Sequence, residues 1–152
     1  MIHTHTHKGH TIEIHHDQDP MNPRKEWDNL GTLAVMGGIG DELPDRDNEP
    51  SEKDFVVLPV YRFEHGNIAF STTPFHCPWD SAQTGYIYAP RGAEGLTDDK
   101  IMAVLKAEVE TFSQYMNGDV WGYVIPDLDE SCWGFFGDPD GYVLEAAQEA
   151  IQ

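Results

Sequence analysis

Hydrophobic and polar residues alternate in several short segments of the chain, as they do in strands that bury one face. The segment His10–His16 alternates in this way, with Ile12 and Ile14 on one side. The segments Phe55–Glu64 and Asn67–Thr73 are rich in β-branched and aromatic residues, and the His65-Gly66 pair between them favours a β-hairpin. Further strands are predicted at Leu30–Met36, Gly85–Ala89, Val120–Ile125 and Cys132–Phe136, the last two joined by the acidic turn Pro126–Glu130.

Two other segments have the hydrophobic periodicity of helices. In the first, five apolar residues recur at intervals of four, four, three and four: Ile101, Leu105, Val109, Phe112 and Met116. This stripe predicts a helix over about 98–116, ended by Asn117-Gly118. A second helix is predicted over about 142–151, after a turn at Pro139–Gly141. The order of elements predicts a single α+β domain with a mainly antiparallel sheet and both helices packed on one face.

Two segments lack such a pattern and are predicted to be mobile. Residues 1–9 contain almost nothing to bury and are interpreted as a flexible His-rich tail before a domain at 10–152. Residues 37–54 contain seven acids, two prolines and three glycines, which favours a mobile acidic loop.

The net charge of the chain limits the kinds of molecule that it is expected to bind. Among its 152 residues, 27 are acidic and nine are Lys or Arg, so the formal net charge is -18. A surface so negative does not suit direct binding to nucleic acid or to an anionic membrane. No apolar run is long enough for a membrane span, the polar N-terminus does not resemble a signal peptide, and two cysteines are too few for a disulfide framework. We therefore expect a soluble intracellular protein with no required cofactor.

Three turns that combine tryptophan with acidic or polar residues form the first candidate site. One interpretation is a shared pocket with aromatic walls and with Asp28 and Asp80 as acids or metal ligands. The alternative is that each Asp or Asn caps a turn while the neighbouring Trp fills the core. The candidate pocket residues are Trp27, Asp28, Asn29, Cys77, Trp79, Asp80, Cys132 and Trp133.

Some of these turns also carry a resemblance to a known family. The matching motifs are Asp19-Pro20, PRKEWDNLGT at 23–32, STTPF at 71–75, CPWDS at 77–81, Gln83, Glu108–Thr111, Tyr115, Gly118–Val120, Gly122-Tyr123, SCWGF at 131–135 and Gly137. With these motifs the chain resembles a family of small proteins found in bacteriophages and related mobile elements, over roughly residues 12–147. The resemblance implies a phage or prophage origin and an accessory role in the host cytoplasm. It implies no particular activity and no catalytic residues.

The N-terminal histidines form a second candidate site. Six of the eight histidines lie within the first sixteen residues. His3, His5 and His7 alternate along the chain and are candidate ligands for Zn, Ni or Cu. In addition, the free amine of Met1 and the imidazole of His3 form a pattern that chelates Cu(II) or Ni(II). The alternative is a His-rich tail that binds metal only opportunistically.

The C-terminal third of the chain has an unbalanced charge that favours a binding role. The 46 residues after Lys106 contain ten acids and no Lys or Arg. The main hypothesis is a non-enzymatic protein that binds or inhibits a host protein, with a nucleic-acid-handling or defence protein as one target. The alternatives are a small enzyme or ligand-binding protein with the Trp, Asp and Cys pocket, and a metal-binding protein. The predicted partner-binding acids are Asp127, Asp129, Glu130, Asp138 and Asp140.

Overall fold

The computed structural model describes residues 2–74 and 81–152. Eight strands lie in this described part of the chain: β1 (Ile2–His7), β2 (His10–His16), β3 (Thr32–Val35), β4 (Phe55–His65), β5 (Asn67–Ser71), β6 (Ser81–Pro90), β7 (Val120–Ile125) and β8 (Glu130–Phe136). The α-helices described are α1 (Pro23–Glu26), α2 (Asp98–Met116) and α3 (Tyr142–Ala150). The predicted α+β class with antiparallel pairing is confirmed. None of the described helices has the length and apolar character needed to cross a membrane.

The chain divides into two compact units, each with a sheet of its own. The first unit comprises residues 1–21 and 114–152, and the second comprises residues 22–113. In the described residues, the first sheet has the order β1-β2-β7-β8 and the second has the order β3-β6-β4-β5. The structure thus corrects the prediction of one sheet covered by two helices. Helix α3 packs against the first sheet, and the stripe of α2 is buried in the second unit.

The core of the first unit lies between its sheet and α3. Its buried members are Ile12, Ile14, Trp121, Tyr123, Ile125, Val143, Ala147 and Ile151. The alternation of β2 directs both isoleucines to this face, as the sequence predicted. Phe135 continues the same layer, with its ring 5.4 Å from that of Tyr142 at the start of α3.

The first unit begins with a strand, which corrects the prediction of a flexible tail at residues 1–9. Strand β1 pairs along its whole length with β2, from Ile2 opposite His15 to His7 opposite His10. Lys8 and Gly9 both have positive φ, at 49° and 81°, as a two-residue turn between twisted strands requires. The prediction of a tail was wrong because it considered only aliphatic burial. Strand β1 is ordered instead by backbone pairing and by imidazole contacts.

The second unit packs α2 through the apolar stripe that the sequence predicted. Ile101, Leu105, Val109 and Phe112 are all buried. Phe112 meets Phe70 of β5 with 4.9 Å between ring centroids. Gly31, just before β3, allows this packing because a Cβ there would lie 2.4 Å from Leu105 Cδ2.

The acidic loop at 37–54 is attached to the second unit at several points, and its mobility stays a prediction. Asp41 accepts hydrogen bonds from Leu33 N and from Arg24. The hydroxyl of Tyr88 donates to Glu42 at 2.5 Å, and the amide of Asp45 donates to the Tyr86 hydroxyl at 3.1 Å. The prediction of mobility was based on the number of acids in the loop, which does not reveal the hydrogen-bond donors that these acids contact.

Candidate functional site

The most exposed segment of the first unit is a continuous run that we name the acidic edge, residues Pro126–Gly134. All nine residues of this run are exposed. Asp127 lies in a single 3₁₀ turn, Asp129 follows in the left-handed conformation, and Glu130 begins β8. Within the described residues β8 is an outer strand of its sheet, with β7 as its neighbour. The acidic edge therefore combines carboxylates with a strand margin that faces solvent.

Trp133 provides the aromatic centre of the acidic edge. Its side chain lies over Gly122 of β7, where a Cβ would fall 2.1 Å from Trp133 Cε3. The pairing of β7 with β8 is irregular at this point, between Trp121 and Tyr123. Because Gly122 has no side chain, the indole rests on the sheet surface and still remains 46% exposed. A large aromatic side chain held in this way is preorganised while part of its ring remains open to solvent.

The electrostatic surroundings of the acidic edge are strongly negative. The first unit contains eleven acidic residues and a single Lys or Arg, Lys8. Burial raises the pKa of the Tyr123 phenol, and the neighbouring Cys132 and Glu130 raise it further. The negative charges at this end of the sheet thus oppose ionisation of the Tyr123 phenol, which would add one more negative charge.

The other predicted partner-binding acids lie in the turn before α3. Asp138 and Asp140 are both exposed, and Asp138 Oδ1 accepts a hydrogen bond from Asp140 N at 2.8 Å. Two acids of the predicted set have imidazole neighbours: Asp140 Oδ1 lies 3.3 Å from His5 Nε2, and Asp127 Oδ2 lies 3.3 Å from His10 Nδ1. All five predicted acids are therefore solvent-exposed members of one unit.

The predicted Trp, Asp and Cys pocket is distributed over both units. Trp27, Asp28 and Asn29 follow α1 in the second unit. Asn29 Nδ2 donates to the carbonyls of Pro23 and Trp27, at 2.8 and 3.0 Å, as the turn-capping interpretation expects. The second part of that interpretation, a tryptophan that fills the core, is wrong for Trp27, which is 42% exposed.

The remaining pocket residues lie elsewhere in the chain. Cys132 and Trp133 belong to the acidic edge of the first unit, where the Cys132 thiol is exposed. Cys77, Trp79 and Asp80 lie outside the described residues. The convergence of these side chains on one pocket stays a prediction.

The predicted metal ligands lie on one face of β1. His3 packs its edge against Trp121 with 5.5 Å between ring centroids, His5 lies beside Asp140, and His7 is opposite His10. Within residues 2–74 and 81–152, no three His, Cys, Asp or Glu side chains are grouped to hold a metal ion. Met1, whose amine would complete the Cu(II) or Ni(II) pattern, is outside that range.

A buried ionic network in the second unit was not foreseen from the sequence. The Arg24 side chain is only 3% exposed and donates through Nη1 to Glu108 Oε1 at 3.0 Å, through Nε to Asp41 Oδ1 at 3.0 Å, and to Gly31 O. Glu108 also accepts from the amides of Leu30 and Gly31. Burial lowers the pKa of Arg24, but the hydrogen bonds to Asp41 and Glu108 outweigh it and raise the pKa overall.

This network is a structural feature rather than a reactive one. Its donors and acceptors bond one another and the backbone ahead of β3, so its polar groups are already satisfied. No short-range spacing could reveal it, because Arg24 and Glu108 are 84 positions apart.

The second unit also contains a cavity of about 290 Å³ that the sequence did not suggest. Arg46 and Glu49 provide its charged groups, and Met36 and Tyr86 line its apolar side. None of the predicted pocket residues that the structure describes is among its lining residues.

Comparison of the chain with protein-family models, with curated proteins and with solved structures gives no match. The functional proposal therefore depends on the surfaces described above.

Proposed function

We propose that this chain is a non-enzymatic binding protein that engages a basic protein surface through its acidic edge. The observation that carries the proposal is the unbroken exposure of Pro126–Gly134, with three carboxylates beside a half-exposed tryptophan. A carboxylate row in a unit with eleven acids and a single Lys or Arg attracts a cationic surface and accelerates its encounter.

Trp133 adds a site for short-range apolar contact, which the carboxylates alone do not provide. Tryptophan is enriched among the residues that contribute most to protein interfaces, and polar residues around it typically exclude water. Leu128, which is 39% exposed, adds apolar surface to the same segment. The acidic edge thus has the composition of a small interface with an aromatic centre and a charged rim.

The resemblance to phage proteins supports a host partner. A phage accessory protein acts in the host cytoplasm, where proteins that handle nucleic acid have basic surfaces that contact its phosphates. By occupying such a surface, an acidic protein would exclude the phosphate backbone from it. We therefore propose inhibition of a nucleic-acid-handling or defence protein as the role.

Site-specific photo-cross-linking in host cells tests this proposal. Ser131, an exposed residue of the acidic edge, is replaced by p-benzoylphenylalanine, and a matched variant carries the same residue at Leu43, which is 62% exposed and lies in the second unit. We expect position 131, and not position 43, to cross-link one basic protein. Cross-linking from neither position, or the same products from both, would contradict the proposal.

The pocket of Trp, Asp and Cys residues remains the alternative from the sequence. No described contact favours it over the acidic edge, and it stays a prediction.

A further inference from the structure

Two histidines face each other across the tight turn of the N-terminal hairpin. His7 ends β1, His10 begins β2, and the two are directly opposite in the antiparallel register. Side chains of directly opposite residues lie on the same face of the sheet, with Cβ atoms about 4.5–5.5 Å apart. When the Cβ atoms are this far apart, one nitrogen of each imidazole can reach the same ion at about 2.0–2.1 Å.

The turn between them fixes the register of the pair. Lys8 and Gly9 occupy the left-handed region that a two-residue hairpin loop requires. The pair is therefore set by the hairpin itself, before any ligand binds.

The acidic edge supplies a group that orients one of these imidazoles. His10 Nδ1 lies 3.3 Å from Asp127 Oδ2. Because a carboxylate only accepts hydrogen bonds, the proton of this contact is on Nδ1, and Nε2 of neutral His10 keeps its lone pair. A carboxylate behind the distal nitrogen is the usual support of a metal-bound histidine.

From this geometry we propose that His7 and His10 form a binding site for a divalent transition-metal ion of the zinc type, with Asp127 positioning His10. Imidazole is a preferred ligand of Zn²⁺, and the two protein ligands leave the other coordination positions to water. This pair differs from the His3, His5 and His7 set expected from alternation alone, because the register brings His10 opposite His7.

The other histidines of the hairpin have different neighbours. His3 and His16 both pack against the Trp121 ring, His16 stacked on it at 3.8 Å between centroids. His15 bonds Glu13 through Nε2 at 3.0 Å and, being opposite Ile2, lies on the other face of the sheet from His7. His15 therefore serves as a matched control.

Calorimetric titration of Zn²⁺ into the full, chelator-treated chain at neutral pH tests the proposal. We expect one ion per chain, with His7→Ala and His10→Ala each abolishing the binding. Asp127→Asn should weaken it by about 10–100-fold, the usual effect of removing the group that orients a ligand. His15→Ala and His3→Ala should bind as the wild type does.

Three outcomes would overturn the site. They are absence of Zn²⁺ binding, an equal loss for every histidine removed, and a loss confined to His3→Ala, which would mark chelation at the chain terminus. Far-ultraviolet circular dichroism of each variant confirms that the fold is retained. If an alanine variant fails to fold, His10→Gln replaces it and is expected to lose binding likewise.

Discussion

Arg24 and Glu108 are 84 positions apart in the chain, and their side chains meet at 3.0 Å in the second unit. Through Glu108 the guanidinium is tied to α2, and through Gly31 O it is tied to the segment before β3. The pair therefore joins the first and last parts of the second unit.

Breaking this pair should destabilise the protein far more than breaking a surface pair. We expect Glu108→Gln to lower the free energy of unfolding by about 1.5–3 kcal/mol, because the buried Arg24 loses one of its two carboxylate partners and keeps only Asp41. Glu64→Gln breaks the exposed Arg62–Glu64 pair and should lower it by about 0–1 kcal/mol. Denaturation in urea measures both, and equal effects would show that the Arg24 network contributes no more than a surface pair.

Gly31 should be intolerant of a side chain because Leu105 of α2 fills the space beside it. We expect Gly31→Ala to lower the free energy of unfolding by about 1–3 kcal/mol through overpacking. Adding Leu105→Val should recover part of this loss, with a coupling of about 0.5–3 kcal/mol in a double-mutant cycle. Additive effects of the two substitutions would contradict the proposed contact.

Tyr88 should make stability depend on pH in the alkaline range. Burial, and next the hydrogen bond to Glu42, raise the pKa of Tyr88 from 10.0 to about 12 in the folded chain. The native state thus favours the neutral phenol, so its contribution is complete below pH 10 and is lost as the pH rises from 10 to about 12. The difference in unfolding free energy between wild type and Tyr88→Phe should shrink over this window, and a constant difference would contradict the assignment.

The N-terminal hairpin provides a test of whether residues 2–7 form a strand or a flexible tail. If β1 pairs with β2, its amides should be protected in hydrogen-exchange mass spectrometry. Deleting residues 2–9 should also lower the free energy of unfolding by about 1 kcal/mol, since Trp121 loses its edge contact with His3. Unprotected amides and unchanged stability would restore the tail interpretation.

Trp133 should dominate the affinity for the partner once that partner is identified. We expect Trp133→Ala to weaken binding by about 2 kcal/mol or more, as truncation of a central interface tryptophan does. Leu43→Ala, which removes an exposed apolar side chain of the second unit, should leave the affinity unchanged. Fluorescence anisotropy with the labelled partner gives both dissociation constants.

Most of the secondary structure could be predicted because it depends on local patterns. The stripe of α2 and the Asn117-Gly118 stop predicted a helix that begins at Asp98 and ends at Met116, as observed. The hairpin of β7 and β8 followed from two apolar segments around an acidic turn.

What could not be predicted depends on pairing between distant residues. Strand β1 has a polar sequence and is ordered by its partner β2, so the alternation of its histidines was not enough to predict a strand. The division into two sheets, and the Arg24 network, are set by contacts across many positions of the chain. The exposure of the acids near β8 could be predicted because charged side chains without a paired partner are rarely buried. The position of Trp133 over Gly122 could not, because it depends on the irregular pairing of two strands.

Affinity capture from a host lysate at low and at high salt tests the central claim, that the acidic edge binds a basic protein. Three baits are compared. The first is the wild type, and the second is the acidic-edge variant Asp127→Asn/Asp129→Asn/Glu130→Gln. The third is a control that removes the same charge from exposed acids of the second unit, Asp47→Asn/Glu49→Gln/Glu52→Gln. We predict one basic protein, held by the wild type and the control at low salt, released at high salt, and absent from the acidic-edge variant. Equal capture by all three baits, retention at high salt, or no protein enriched on the wild type over the acidic-edge variant would contradict it.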